Sequence, residues 1–319
     1  MARLVLGNIL GRVSKERPWL HQILWWMEAV LIGAGLRLCA LLPVDRAGAM
    51  GRRLMMALGP RLAKHGKFKS ILRIAFPEKS PEQLEELAIS VWGNVGAVMA
   101  EYGHLNTICV READERLDIH TWSSIPGNRL GDRPAIFVAA HLSNFEVCAG
   151  AIRKAAGPVT IVYKPLKNPW LDRRLANYRR SIGCELISSD QGPGALLREL
   201  RAGRSVGLVM DQRHPGGKRI PFFGVLKPTT LVPARLALRC GADLIPVRGE
   251  RLEGSRFRIT FEKPIPHGDP SETEMQRALQ MTAEVNRRFE QWIRACPQDW
   301  LPMRLTKAKD IPASGPARR

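Results

Sequence analysis

PAIFVAAHLSNFEVCAGAI, residues 134–152, is apolar from Ala135 to Ala140, stops at His141 and places an acid at Glu146. The six apolar residues read as a short buried strand, and the small and apolar residues from Asn144 onward read as a helix. His141 and Glu146 therefore fall where a strand hands over to a helix, the edge of an open α/β sheet at which ligands collect. The same alternation continues downstream. TIVYK (160–164), ELIS (185–188), SVGLVM (205–210) and DLIPVRGE (243–250) read as strands. LDRRLANYRRSIG, ALLRELRAG and LVPARLALRCG between them read as helices, each closing on a glycine. RFRITFE (256–262) alternates as an antiparallel or edge strand would, and Glu272 to Arg294 is a long amphipathic helix with Met275, Leu279, Val285, Phe289 and Trp292 on its core side. The expected fold class is α/β, a mostly parallel twisted sheet flanked by helices. Upstream, residues 45–110 read as helices, one opening on Ser80-Pro81-Glu82, a cap followed by proline at the first helical position.

The charge narrows the partners. Lys and Arg number 49 against 30 Asp and Glu, a net charge of +19, which calls for an anionic partner: nucleic acid, anionic lipid or an acidic carrier protein. The six cysteines lie 36 to 70 residues apart with no C-x-x-C pair, arguing against a zinc cluster or disulfide framework and for a reducing compartment. Trp19 to Val44 is strongly apolar but interrupted by Glu28 and Arg37. Its longest uncharged runs fall short of a clean spanning helix, and it has no signal-peptide cleavage site. Residues 1–70 carry 12 Lys and Arg against three acids. Trp-rich apolar surface beside cations suits a helix lying in, or dipping through, an anionic leaflet, or else a helix packed on the domain. Three segments are expected: a membrane-associating helix over 1–44, a catalytic domain over 45–304 and a disordered basic tail over 305–319.

The seam admits a bland reading: Ser143-Asn144-Phe145-Glu146 fits a capping box, in which Glu146 only satisfies a backbone N–H. A metal site is not expected, since no second His or Cys stands at ligand spacing. The functional reading rests on imidazole, whose ordinary pKa of about 6.5 leaves it able to take a proton from a hydroxyl at neutral pH. A carboxylate one helical turn away holds the ring in one tautomer. The one G-x-S-x-G match, Gly203 to Gly207, puts its serine at the start of the SVGLVM strand and not on the strand-to-helix elbow a nucleophile needs, and Cys148 reads as a small core residue. A base without a protein nucleophile implies that a substrate hydroxyl attacks, which is direct group transfer.

Here the residues resemble a known family. H-x-x-x-x-E after an apolar strand is the signature of the lysophospholipid acyltransferase superfamily. The blocks from about Leu41 to Pro302 resemble its bacterial lipid A biosynthesis branch: LLPVDRAGAMGRRL, FPEKSPEQLEEL, AHLSNFE, VYKPLKNPWLDRRLANYRRSIG, LLRELRAGRSVGLVMDQ and IPFFGVLKPTTLVPARLALRCGADLIPV. The resemblance implies a glycerolphosphate-acyltransferase-like fold, with His141 as general base and Glu146 as its partner. Asn144, Lys164, Arg180 and Asp211 stand at matching positions expected to bind substrate, and Gln212, Phe222-Phe223-Gly224 and Thr229-Thr230 also match. It implies no cofactor, an acyl carrier protein as acyl donor, a lipid A precursor as acceptor, and a place on the cytoplasmic face of the inner membrane. Ser143 replaces the usual glycine, Phe145 the usual tryptophan and Lys164 the usual arginine, while QDWLPMRL lacks the W-x-H-R-R that the family carries near its end.

Arg173, Arg174, Arg179 and Arg180 on one helix read either as a solvated face or as a site for acceptor phosphates or an acidic carrier protein. Phe222 and Phe223 read either as an acyl-groove lining or as a core pair, and Gly216-Gly217-Lys218 as a plain loop. Another lipid acceptor, a lysophospholipid or aminolipid, is the alternative within the class. Nucleic-acid binding is the alternative outside it, but no helix-turn-helix, finger or aromatic-basic RNA motif supports it.

Overall fold

The computed structural model describes residues 18–122, 130, 132–302 and 305. The amino-terminal part of the 1–44 segment and almost all of the basic tail lie outside them. Four helices lead: α1 (Pro18–Ala40), α2 (Val44–Leu58), α3 (His65–Ala75) and α4 (Pro81–Glu101). Ser80 caps α4 with the full capping box, its hydroxyl accepting from the Gln83 N–H and the Gln83 side chain accepting from the Ser80 N–H. Helices α2 and α4 pack through glycines: a Cβ on Gly51 would lie 2.3 Å from the Gly96 carbonyl oxygen, so no other residue permits this approach. That contact sets the height of α4, whose Asn94 and Glu101 reach the site below.

After a short α5 (Ala113–Arg116) and β1 (Leu117–Thr121), strands and helices alternate: β2 (Ile136–Ala139), α6 (Phe145–Ala156), β3 (Val159–Tyr163), α7 (Pro169–Ser181), β4 (Glu185–Ser188), α8 (Gly192–Arg201) and β5 (Ser205–Val209). The hairpin β6 (Lys218–Phe222) and β7 (Val225–Thr229) intervenes before α9 (Val232–Cys240), β8 (Leu244–Arg251), β9 (Phe257–Phe261) and α10 (Glu274–Ala295). Seven strands form one sheet in the order β1-β9-β8-β2-β5-β3-β4, parallel except for the β8–β9 pair. Both faces are covered, which is why β2 is apolar at successive positions: Ile136 and Val138 join one buried cluster and Phe137 the other. The α/β expectation stands, and β2 through β5, β8 and β9 fall within a residue of their sequence-based spans.

β9 is antiparallel to β8, as its alternation suggested, and β1, which its mixed LDIHT composition concealed, pairs in parallel outside it. PFFGVLKP is a two-stranded hairpin apart from the main sheet. On α10, Val285, Phe289 and Trp292 are buried as expected, but Met275 is exposed, and Ala278, Met281 and Ile293 are buried in its stead because the helix presents a broader apolar face.

α1 explains its own interruption. Glu28 is buried and accepts from the Asn168 amide at 2.9 Å, while the same amide nitrogen donates to the Trp25 carbonyl at 2.8 Å. The Asn168 side-chain oxygen caps α7 through the N–H groups of Trp170 and Leu171. The acid in the apolar run thus ties α1 to the start of α7. By length and apolarity Trp19–Ala40 would suffice to cross a bilayer. It packs sideways on α7, however, and leaves Trp19, Ile23, Trp26, Met27 and Leu31 exposed as an outer stripe.

Candidate active site

His141 lies two residues past the end of the central strand β2, at the carboxyl edge of the sheet. Its Nδ1 donates to Asp211 Oδ1 at 2.6 Å, and the ring is 12% exposed. Asp211, just past neighbouring β5, is fully buried, and its second oxygen accepts from the Trp300 indole N–H at 2.9 Å. Burial alone would push the Asp211 carboxyl up, but the His141 ring, the Trp300 N–H and the Lys227 ammonium hold it below the usual carboxylate range. A carboxylate on Nδ1 leaves Nε2 as the ring's proton acceptor, the arrangement of a general base and its orienting acid.

Glu146 therefore does not play the part expected of it. Its carboxylate is buried and paired with Arg179, whose Nε donates at 2.8 Å, and it accepts a short hydrogen bond from the Tyr102 hydroxyl. The physical reason is the loop: the helix begins only at Phe145, so Glu146 projects from its first turn toward α7 and not toward the imidazole. The capping-box reading fails as well, since Asn144 is the N-cap and makes no side-chain cap. Burial alone would lower the Arg179 guanidinium, but the Glu146 carboxylate more than reverses this, and burial beside Glu146 pushes the Tyr102 phenol well up. Arg179→Met, which strands a buried carboxylate, is expected to cost about 3–5 kcal/mol. Replacing both partners with apolar residues is expected to recover most of the loss, and chemical denaturation of the two variants checks this.

The loop between His141 and Asn144 is held from two sides. The Asn94 amide donates to the carbonyls of Ser143 (3.3 Å) and Asp299 (2.8 Å), the Ser143 N–H donates to the Asp299 carbonyl (2.8 Å), and the Leu301 N–H donates to the His141 carbonyl (2.8 Å). Ser143 has φ 54°, the left-handed region that explains the family's glycine there. Asn144 is buried and donates to Glu101 Oε2 at 2.8 Å, and Glu101 is itself clamped by Arg251. Asn144 thus anchors the loop to α4. Arg180 is exposed and donates to Asn177 at 3.4 Å, whereas Arg179, one residue earlier, lines the pocket. Arg173 is exposed and Arg174 lies against Gly33 of α1.

Beside His141 opens a pocket of about 530 Å³. Phe137, Ala139, Ala149, Ile152, Ile161, Gly207 and Val209 form an apolar wall, and Lys164, Lys167, Arg179, Gln212 and Glu146 supply its polar groups. Cys148 is also on the wall; burial pushes its thiol up to about 12, so it carries no thiolate at neutral pH. Phe222 and Phe223 do not line it. They are buried, and Phe223 stacks on Trp300 at 5.5 Å, so the core-pair reading holds. Among the described residues no cluster of His, Cys, Asp and Glu is arranged to hold a metal. Trp300 and Lys227, both in contact with Asp211, carried no signal in the sequence.

A histidine held by a buried carboxylate and opening on an apolar pocket is the arrangement that direct transfer to a substrate hydroxyl requires. The chain belongs to the bacterial lipid A biosynthesis acyltransferase family, whose model matches residues 14–305, and it is an acyltransferase. It is 27% identical over 281 residues to a phosphatidylinositol mannoside acyltransferase of Mycolicibacterium smegmatis, covering 80% of this chain and 88% of that one. A protein of the same name from Mycobacterium tuberculosis H37Rv is 26% identical over 280 residues, 80% of this chain and 86% of its own. Among solved structures, the 1-acyl-sn-glycerophosphate acyltransferase PlsC of Thermotoga maritima aligns at TM-score 0.38 and 17% identity, over 77% of this chain and 97% of that one.

Proposed function

We propose that this enzyme transfers a fatty acyl chain from an acyl thioester to a hydroxyl of a phosphorylated glycolipid in the membrane, with His141 as general base and Asp211 as its orienting acid. The observation that carries this is the His141–Asp211 contact beside an apolar pocket. The acceptor hydroxyl gives its proton to Nε2 of His141 as its oxygen attacks the thioester carbonyl. The carbon–sulfur bond breaks, and the imidazolium returns the proton to the departing thiolate. Negative charge on the carbonyl oxygen is stabilised by the amino-terminal end of α6, which starts four residues beyond His141, and by Lys164 at the rim.

A phosphorylated glycolipid is the chemistry shared by the family's description and the names of the relatives; a lipid A precursor is one such acceptor and a mannosylated phosphoinositide another. The exposed apolar stripe of α1, with exposed Trp170 on α7 and Leu166 at the pocket, supports binding to a membrane, and the net charge of +19 supports an anionic leaflet, which we place on the cytoplasmic face of the inner membrane. Exposed Lys164 and Lys167 at the rim favour an acidic acyl carrier protein as donor. The test is mass spectrometry of lipids after the purified enzyme acts in anionic vesicles containing either acceptor, with acyl carrier protein or coenzyme A thioesters supplied separately. One added acyl chain on a glycolipid supports the reading; no acylated product from any pairing overturns it.

The apolar wall accommodates the chain. A Cβ on Gly207 would fall 2.7 Å from Ile161 Cδ1, so Gly207→Ala is expected to push Ile161 into the pocket. Competition between thioesters should then favour a shorter acyl chain by about tenfold, the worth of one or two displaced methylenes.

A further inference from the structure

Lys227 is fully buried on β7, and neither the sheet nor the transfer chemistry requires a cation there. Its ammonium donates to the main-chain carbonyl of Asp211 at 2.8 Å and of Met210 at 3.4 Å, and lies 3.8 Å from the centre of the Phe222 ring. Its donors are thereby occupied by two carbonyls and an aromatic face. Burying a lysine is costly even when it is satisfied, and a methionine of similar length would fill the same space at the expense of those two carbonyls. Packing does not account for the residue.

We propose that Lys227 is a positioning residue for the His141–Asp211 pair, clamping the main chain that carries Asp211 while its charge limits how tightly that carboxylate holds a proton on His141. This rests on the reading of His141 as the base. Asp211 leaves the sheet where β5 ends, and it is fixed at three points: one carboxylate oxygen by His141, the other by Trp300, and the carbonyl by Lys227. Without the third, the peptide is free to rotate and carry the carboxylate out of line with Nδ1, where small misplacements are expensive for catalysis. The charges facing the ammonium are the Asp211 carboxylate, with His141 beyond it, and Glu290 on α10, which accepts from the Phe223 N–H at 2.8 Å. The Arg294 guanidinium stands on the Phe223 ring, 5.1 Å from its centre. Burial pushes Lys227 down to about 7 against the pull of both carboxylates. Removing the cation leaves the Asp211 carboxylate with one fewer positive neighbour and strengthens its attraction for a protonated ring.

The experiment uses the full chain in lipid vesicles with a defined acyl thioester, comparing Lys227→Met and Lys227→Gln with the parent enzyme across pH. Both variants are expected to move the acid limb of kcat upward by about one pH unit, since both lack the charge. Lys227→Met should lose kcat about tenfold or more, with the KM for the thioester changed less than about threefold. Lys227→Gln, which keeps an N–H for the Asp211 carbonyl, should lose less. Lys227→Met leaves two buried carbonyls without their donor and should melt lower than the parent, so the acid limb, which a merely structural lysine would not move, is the deciding readout. An unmoved acid limb in both variants overturns the assignment. A His141→Ala control that still turns over would instead overturn the base itself, a separate failure visible before the lysine variants are compared.

Discussion

His141→Ala is expected to lower acyl transfer by at least about a thousandfold while leaving the fold and vesicle binding intact. The magnitude is that of losing a positioned base whose proton transfer is coupled to attack. Folding should be spared because the loop is held by its main chain and not by the ring. The His141 carbonyl accepts from Leu301, the Ser143 N–H donates to Asp299, and Asn94 bridges the two segments. The exposed stripe of α1 lies on another element and should bind lipid unchanged. Turnover, circular dichroism and vesicle sedimentation on the same preparation check the three parts. Substantial turnover in the variant would refute the mechanism.

Asp211→Asn is expected to cost about as much, roughly a thousand- to ten-thousandfold, although the side chain keeps its shape. The Trp300 indole must donate to whatever replaces Asp211 Oδ2, so the new amide oxygen turns toward Trp300 and the amide NH2 toward His141. An N–H facing Nδ1 selects the tautomer protonated on Nε2, the nitrogen needed to accept the hydroxyl proton. The defect is one of tautomer, so a moderate rise in pH should not rescue it. Glu146→Gln is the informative contrast. Its carboxylate meets Arg179 and Tyr102, so the change should appear mainly as lost stability with a much smaller effect on kcat. If Glu146→Gln proves as inactive as Asp211→Asn while equally stable to the parent, the roles given to the two acids are reversed.

The contrast between these acids marks the boundary between local and distant information. Strand periodicity, helix caps and the apolar run before His141 are short-range patterns, so the chain announces its alternating strands and helices, its parallel sheet and the place of His141 at a strand end. The same local logic assigned Glu146 to the imidazole, because five residues along a chain look like neighbours. Tertiary structure decided otherwise: β5 lies beside β2 in the sheet, and that pairing brings Asp211, 70 residues away, onto Nδ1. Trp300 arrives from the chain's far end and Lys227 from a hairpin whose FFGVLKP composition showed no strand signal. Register between strands and the crossing of helices are set by burial summed over the whole core, which no window of sequence contains. The place of His141 at a strand end was therefore legible in the chain, and the carboxylate that meets its ring was set by the packing of the sheet.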